Sequence, residues 1–241
     1  MKRLIAAGFD AAARGTRTAG GTTVAARARA DLETRERLLE AGQRLFADRG
    51  FKKVTVREIC REARANVAAV NYHFGDKLGL YREVLQQAIE AMRATTEAAR
   101  EAGAGRSAEE RLRCYVMIVV RRLLAASDRV WVHRLITREM DDPTPALDTL
   151  VEQGVRPRIE YLSGVVAEML GAAPSDTAVL RCVASIQAQS MAYLPNPIAA
   201  RLGLSLTPSR ANIEAVARHI ADFSLAGVHA IRRRERRQAT S

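Results

Sequence analysis

The sequence predicts an all-α protein in which a small N-terminal domain precedes a larger helical domain. Aromatic side chains make up only 5% of the 241 residues, and glycine and proline are sparse, whereas alanine, leucine and arginine are abundant. This composition favours helices over strands. Apolar residues also recur at spacings of three and four along most of the chain, and capping residues stand immediately before several of these segments.

Residues 55–77, TVREICREARANVAAVNYHFGDK, predict two short helices joined by a tight turn. Thr55 and Glu58 form a capping-box pattern, in which the hydroxyl accepts from one backbone N–H and the carboxylate reaches back to another. Asn66 is a favourable N-cap for the second helix. Two helices of this size with so short a connection cross steeply, as in a DNA-binding helix-turn-helix. The predicted inward residues are Ile59, Cys60 and Ala63 in the first helix and Val67, Val70 and Phe74 in the second.

This stretch resembles the DNA-binding domain of TetR-family transcriptional regulators. The family usually has glycine in the interhelical turn, where this chain has Arg64, and a left-handed conformation there would cost arginine about 1 kcal/mol relative to glycine. A plain helical hairpin within a bundle is the alternative, but it gives no reason for Tyr72, His73 and Lys77 to occur together. The resemblance rests on Thr55–Arg57, Ile59, Ala63, Asn66 and the run NYHFGDK at 71–77, followed by Leu80 and Tyr81.

The net charge of +11 is unevenly distributed. Residues 1–80 contain 16 Lys and Arg against 9 Asp and Glu, residues 81–231 contain 17 of each, and residues 232–241 contain five Arg and one Glu. A polyanionic partner is therefore expected for the N-terminal part and not for the middle of the chain. We expect a flexible basic arm at 1–30, a helix-turn-helix domain at 31–80, a second domain at 81–231 and a basic tail at 232–241. The arm either adds phosphate contacts or has no role.

Capping residues and apolar spacing also place the other helices. Asp76 and Ser107 are expected to begin helices, and Gly50 and Gly171 to end them. Pro157 lies inside a long helical pattern, so a kink or break is expected near residues 154–156. The predicted helices are 32–49, 77–100, 107–123, 128–140, one after a proline-punctuated loop within 141–171, 175–193 and 209–231. Leu180 and Phe223 are expected on the apolar faces of the last two.

The candidate DNA contacts lie on and around the second short helix. Thr55 stands at a helix N-terminus, where N–H groups and the helix dipole favour a phosphate. The small side chains at 67–69 suit close approach to base edges and thymine methyl groups. The resemblance implies phosphate contacts for Tyr72, His73 and Lys77. Two alternatives remain open: Val67 packs inward, and His73 only hydrogen-bonds a neighbouring helix. The full set is Thr55, Arg57, Asn66, Val67, Ala68, Ala69, Asn71, Tyr72, His73 and Lys77.

The resemblance also implies an effector pocket and a homodimer. The last two helices resemble the family's dimerising four-helix bundle. The segments REMDD, PALDTL and VVAEMLG, at 138–142, 145–150 and 165–171, resemble the C-terminal domain of the CecR-like subgroup. The candidates for contact with a small, mainly apolar effector are bulky or polar residues in otherwise apolar helices: Met117, Arg121, Trp131, Arg134, Glu139, Tyr161, Gln187 and Met191. For each of them, core packing or a solvated face is the alternative.

The sequence thus predicts a cytoplasmic, ligand-responsive repressor that binds a palindromic DNA operator as a homodimer through its last two helices. A thiol-based redox-sensing regulator, using Cys60, Cys114 or Cys182, and a non-specific basic DNA-binding protein are the alternatives. No enzyme and no cofactor or metal is expected, because the four histidines lie at no metal-ligand spacing and no nucleophile or phosphate-loop motif occurs. No apolar run reaches the roughly 18–20 residues that cross a bilayer.

Overall fold

The computed structural model describes residues 19–125, 130–194, 197–203 and 209–239, and every regular element within these ranges is helical. The all-α prediction is therefore confirmed. A π-helical turn at Val151–Val155 joins α7 to α8. The helices are α1 (Ala19–Arg49), α2 (Val56–Ala63), α3 (Val67–Phe74), α4 (Lys77–Ala102), α5 (Ala108–Leu124), α6 (Val130–Asp141), α7 (Leu147–Leu150), α8 (Arg156–Leu170), α9 (Thr177–Ala192), α10 (Pro197–Arg201) and α11 (Arg210–Ala239).

Both ends of the described chain are more helical than the sequence pattern predicts. Helix α1 begins at Ala19, so residues 19–30, which include Arg27 and Arg29, are helical rather than an irregular arm. Residues 1–18 of the expected arm lie outside the described residues. Helix α11 continues through the expected basic tail as far as Ala239. Alanine and arginine favour helix, and neither 22–41 nor 228–239 contains a glycine or proline that would end one.

Side-chain caps begin the middle helices as predicted. Asp76 Oδ1 accepts from the Gly79 N–H at 2.7 Å at the start of α4. A capping box between Ser107 and Glu110 begins α5. At the C-terminal ends of α1 and α8, Gly50 and Gly171 adopt left-handed conformations with φ of 81° and 72°. Asp128, expected to open α6, lies outside the described residues.

The break expected near Pro157 is the π-helical turn. Proline has no N–H, so the Gln153 carbonyl lacks its usual helical donor. The Arg93 guanidinium of α4 takes that place, with Nε 2.8 Å from the Gln153 oxygen. At Gly154 an added Cβ would come within 3.2 Å of the Met92 sulfur, so glycine lets the turn lie close against α4.

Buried apolar residues form two clusters. The first, which we call the N-terminal core, lies between α1, α2, α3 and the first half of α4, as far as Met92. It also includes Val132 and Leu135 of α6 and Leu150 of α7. The second, the C-terminal core, joins α5, α8, α9 and α11. Helix α6 therefore packs on the N-terminal core although it lies beyond residue 80, and α4 runs from one core to the other.

Helices α9 and α11 leave part of their apolar surface uncovered. Leu180 is 46% exposed and Phe223 is 63% exposed, so these parts of the predicted apolar faces are not covered within the chain. Their neighbours Val183 and Ile220 are buried as expected. The short helix α10, which the sequence pattern does not predict, exposes Ile198.

Candidate nucleic-acid interface and internal cavity

The start of α2 is a complete capping box. The Thr55 hydroxyl accepts from the Glu58 N–H at 3.3 Å, and the Glu58 carboxylate accepts from the Thr55 N–H at 2.8 Å and from its hydroxyl at 2.7 Å. Arg49 donates to the other carboxylate oxygen at 2.7 Å. The hydrogen bond from Arg49, followed by those from Thr55, lowers the pKa of Glu58 to about 2. The stability that this carboxylate contributes is therefore present above its ordinary pKa of 4.5 and is lost as pH falls towards 2.

The outer face of α2 carries cations without counter-ions. Arg57, Arg61 and Arg64 are exposed, and their spacing of four and three places them along one side of the helix. Within the described part of the chain these three side chains make no ion pair. The acidic residues of α2 are neutralised by arginines of α1 instead, in the pairs Arg49–Glu58 at 2.7 Å and Arg44–Glu62 at 3.0 Å. Arg61 and Arg64 were not among the DNA contacts predicted from the sequence, although the charge excess of residues 1–80 was a signal for them.

The turn between α2 and α3 is left-handed at Arg64, with φ 51° and ψ 46°. The conformation that glycine would adopt more readily is thus held by arginine. Two backbone hydrogen bonds close the turn, from the Arg64 N–H to the Arg61 carbonyl at 3.4 Å and from the Ala65 N–H to the Cys60 carbonyl at 2.9 Å. Asn66 Oδ1 then accepts from the Ala69 N–H at 2.8 Å and begins α3.

Helix α3 projects its first turn into solvent. Val70 is fully buried, but Val67 is 44% exposed, so its predicted inward position is wrong. The helix has only eight residues and packs on the N-terminal core through Ala69, Val70 and Phe74, so Val67 and Ala68 at its start face solvent. Ala69 is half-buried against the N-terminal core. The exposed residues of α3 are Val67, Ala68, Asn71 and Tyr72. Together with Arg57, Arg61 and Arg64 they form what we call the α2–α3 surface.

His73 and Lys77, two expected phosphate contacts, both have partners within the chain. The His73 side chain is only 7% exposed, and its Nε2 lies 3.5 Å from Asp31 Oδ1 of α1. Lys77 Nζ donates to the carbonyl oxygens of Phe51 at 3.0 Å and Val54 at 2.9 Å, and lies 4.2 Å from the centre of the Phe51 ring. Lysine has three N–H donors, so one remains for an outside partner.

A cavity of about 360 Å³ lies between α4, α5, α6, α8 and α9. Its lining is mainly apolar, with methionine or branched aliphatic side chains from α4, α5, α6 and α9, whereas α8 contributes Arg158. Of the eight residues expected to contact an effector, Gln187 and Met191 line this cavity. The polar lining residues that sequence analysis missed are Thr95, Arg122, His133, Thr137 and Arg158. No composition or spacing signal distinguished them from solvated helix faces.

The other six expected effector contacts lie outside the cavity and have structural partners. Periodicity shows which residues share a face of one helix but not which neighbouring helix that face contacts. It therefore could not show which of these residues line the cavity. Met117 packs against the C-terminal core and Trp131 against the N-terminal core. Arg121 pairs with Glu214 at 2.7 Å, Arg134 pairs with Asp48 at 2.8 Å, Tyr161 donates to the Ala99 carbonyl at 3.3 Å, and Glu139 is buried with hydrogen bonds from Tyr81 and Thr144.

Two cavity side chains have an unusual environment. Nε of Arg158 is buried and has no hydrogen-bond partner within the described residues. Burial, followed by repulsion from Arg158, lowers the pKa of His133, so its imidazole is neutral at pH 7. Gln187 accepts from the Tyr115 hydroxyl at 2.9 Å, which leaves its amide N–H groups to donate elsewhere. Among the described lining residues there is no Asp or Glu.

Helix α6 connects this cavity to the N-terminal domain. His133, Ile136, Thr137 and Met140 line the cavity. Other residues of α6 are bonded to α1 and α4: Arg134 to the Asp48 carboxylate at 2.8 Å, Arg138 to the Asp48 carbonyl at 2.7 Å, and Glu139 to the Tyr81 hydroxyl. Burial and the hydrogen bond to Glu139 both raise the pKa of Tyr81. One helix therefore contacts both regions.

The cysteines do not have the environment of reactive thiols. Burial raises the pKa of the Cys60 and Cys182 thiols, which disfavours the thiolate that reacts with oxidants. Cys114 is half-buried, and its thiol lies 3.6 Å from the Ala102 carbonyl oxygen.

Comparison with known proteins identifies the family. Residues 108–228, half of the chain, match the C-terminal domain of the HTH-type transcriptional dual regulator CecR. Residues 38–84 match the bacterial regulatory proteins of the tetR family. The chain belongs to the TetR family. Its C-terminal domain is of the CecR type, as the resemblance implied.

Individual relatives agree with this TetR-family assignment. The dual regulator CecR of Shigella flexneri is 29% identical over 160 residues, which cover 61% of this chain and 70% of the relative. The TetR-family regulator PfmR of Thermus thermophilus has a TM-score of 0.58 at 17% identity, over 78% of this chain and 97% of its own. The hemolysin II regulator HlyIIR has a TM-score of 0.55 at 22% identity, over 77% and 97%.

This TetR-family chain is therefore a DNA-binding transcriptional regulator and not an enzyme, since its family and its structural neighbours are regulators. Among the residues that the structure describes, no helix combines the length and the hydropathy needed to span a lipid bilayer.

Proposed function

We propose that this TetR-family regulator is a repressor that binds a palindromic operator as a homodimer and is released by a small molecule held in the internal cavity. It would act in the cytoplasm, where its DNA lies. The observation that carries the proposal is the α2–α3 surface, in which an exposed, small-residue helix start adjoins three arginines that make no ion pair with any described residue. A duplex offers this surface both a groove and phosphates.

Within that surface, the residues have different proposed roles. Val67 and Ala68 approach base edges and thymine methyl groups, and Asn71 offers an amide to a base or a phosphate. Tyr72, which is 75% exposed, and Arg57 contact phosphates. Thr55 and Asn66 are already used as caps, so their contribution is to hold the helix starts and their N–H groups in place.

A homodimer is proposed because one short helix covers too few base pairs for useful specificity. The exposed apolar side chains of Leu180 on α9 and Phe223 on α11 support the last two helices as the interface. A two-fold axis there would bury the same patch on both copies and set the two α3 helices roughly 34–36 Å apart, one turn of DNA.

Regulation by a ligand is proposed from the position of α6. This helix lines the cavity on one side and bonds to α1 and α4 on another. A ligand that prefers one position of α6 would change the spacing of the two α3 helices, and the affinities for ligand and DNA would then be reciprocally linked.

The first experiment is selection of bound fragments from random and genomic DNA. A palindrome with half-sites one helical turn apart is the expected result. A specificity ratio near one between selected and random DNA would instead support the non-specific binding protein.

The oligomeric state is tested by analytical ultracentrifugation of the Phe223→Glu variant at micromolar concentration. We expect this variant to be monomeric and the unaltered chain dimeric. Leu32→Glu is the matched control, since Leu32 is 62% exposed on α1, away from α9 and α11, and should leave the dimer intact. A monomeric unaltered chain would refute the dimer.

A further inference from the structure

The polar groups of the cavity are unevenly charged. Arg122 and Arg158 both line it, and no carboxylate stands among the lining residues that the structure describes. Arg122 donates to the Thr95 hydroxyl at 3.1 Å, so part of its hydrogen-bonding capacity is used. Arg158 is different: it is half-buried, it makes no ion pair with a described residue, and its Nε is buried without a partner.

A partly desolvated guanidinium without a partner is costly, because its donors lose water and gain nothing in return. Arg111 and Arg232 also have a buried Nε without a partner among the described residues, but neither lines the cavity. Arg156, two residues earlier on α8, pairs with Glu152 at 2.6 Å, and Arg111 on α5 pairs with Glu168 of α8. Among the residues that the structure describes, Arg158 is therefore the arginine that combines a buried, unpartnered Nε with a position at the cavity.

The other lining residues indicate which further chemical groups a ligand of this cavity would carry. Met92, Val119, Leu123 and Ile136 are apolar lining residues from α4, α5 and α6, and such a lining suits an alkyl chain or an aromatic ring. His133 is neutral and hydrogen-bonds weakly at most to Thr137, with the two atoms 3.5 Å apart. The amide N–H groups of Gln187 make no hydrogen bond with a described residue, so they can donate to an oxygen.

We propose that the cavity binds an organic carboxylate with an apolar body, and that Arg158 is its counter-ion. The carboxylate fills the empty hydrogen-bonding position of the guanidinium, and planar, paired N–H donors match its two oxygens. The apolar body lies against the wall between α4, α5 and α6. This inference rests on the proposed effector-binding function, and it replaces the mainly apolar effector expected from the sequence by an amphipathic anion.

The test uses octanoate and octanamide, which have the same length but differ in charge. Binding of each to the full chain is measured by isothermal titration calorimetry without DNA. We expect octanoate to bind about ten- to a hundredfold more tightly than octanamide, the range of a hydrogen bond to a charged group. Arg158→Met should abolish this preference and Arg158→Lys should keep most of it. Arg156→Met, on the same helix but outside the cavity, is the matched control and should change nothing.

Three results would overturn the proposal: octanamide binding as tightly as octanoate, an unchanged preference in a folded Arg158→Met variant, or no octanoate binding at millimolar concentration. Thermal melts establish that each variant is folded, and Arg158→Gln, which also removes the charge and should lose the preference, tests the assignment if Arg158→Met is not folded. The proposed regulation is tested separately, by the effect of octanoate on the affinity for selected DNA. Octanoate bound as expected, with DNA affinity unchanged, would refute the regulation and leave the ligand class standing.

Discussion

The α2–α3 surface and the internal cavity both rely on arginine, but they hold it in opposite environments. Arg57, Arg61 and Arg64 are exposed to solvent on one side of α2, whereas Arg158 is half-buried with a buried Nε. Exposed charges are screened within roughly 8 Å at physiological salt, so several of them are needed and a polyanion is the matching partner. A desolvated guanidinium is screened far less, and one carboxylate can satisfy it. Burial and pairing, more than residue type, therefore indicate the partner.

Lys77 lies between these two environments and offers the largest expected effect. Its Nζ is bonded to the carbonyl oxygens of Phe51 and Val54, but it retains one N–H. We expect Lys77→Ala to lower the free energy of unfolding by about 1.5–3 kcal/mol, because charge-assisted hydrogen bonds are lost. It should also weaken binding to selected and to random DNA alike, and reduce the slope of log affinity against log salt by about one unit.

Urea denaturation and fluorescence anisotropy at several salt concentrations measure these two effects of Lys77→Ala. The control is Lys53→Ala, two residues before Thr55. It removes the positive charge of an exposed lysine without removing the hydrogen bonds that Lys77 makes to the backbone. An unchanged salt dependence would restrict Lys77 to its structural role, and a changed sequence preference would contradict a phosphate contact.

The connection between the two regions is tested by Tyr81→Phe. This change leaves a buried oxygen of Glu139 without its donor, so the free energy of unfolding should fall by about 1–3 kcal/mol. If α6 transmits ligand binding, octanoate should also change DNA affinity less than in the unaltered chain. The control is Tyr115→Phe, which removes the hydroxyl that donates to Gln187 in the cavity. That variant should alter ligand affinity but keep the coupling; equal coupling in both variants would argue against transmission through α6.

Salt dependence separates exposed from buried arginine. Arg57→Ala should reduce the slope of log affinity against log salt by roughly 0.9 and leave sequence preference unchanged, as loss of one phosphate contact requires. Octanoate affinity should change little over the same salt range. Arg44→Ala is the control, because Arg44 is paired with Glu62 in the free protein. A strongly salt-dependent octanoate affinity would show that its counter-ion is exposed to solvent, and would contradict the proposed difference between Arg158 and the arginines of the α2–α3 surface.

The smallest expected effect concerns the turn at Arg64. Glycine adopts the left-handed conformation without the steric cost that arginine carries, so Arg64→Gly should raise the free energy of unfolding by about 1 kcal/mol. DNA affinity should nevertheless fall slightly, since one exposed cation is lost. Arg61→Gly, inside α2, removes the same charge but should lower stability by about 1 kcal/mol. Chemical denaturation of the two variants compares them directly, and destabilisation by both would show that the Arg64 side chain makes a compensating contact.

The features that the sequence determined by itself are local ones. The capping box of Thr55 and Glu58, the Asn66 and Asp76 caps and the glycine ends of α1 and α8 all join residues within about five positions. Their hydrogen bonds follow from residue type and spacing, so the helix-turn-helix could be predicted closely. The extensions of α1 and α11 were not predicted because these alanine–arginine segments lack a sustained apolar periodicity, although both residue types favour helix.

Only the tertiary structure decided which side chains meet across helices. Lys77 and His73 are turned towards α1 and its following loop, Glu139 is buried against Tyr81, and Arg158 lies at the cavity while Arg156 pairs on the surface. Each of these contacts depends on the angle and separation of helices that are distant in the chain. Helical periodicity fixes a residue's position around one helix axis, but it carries no information about the neighbouring helix. The cavity and the guanidinium of Arg158 that lines it depend on how several helices are placed against one another.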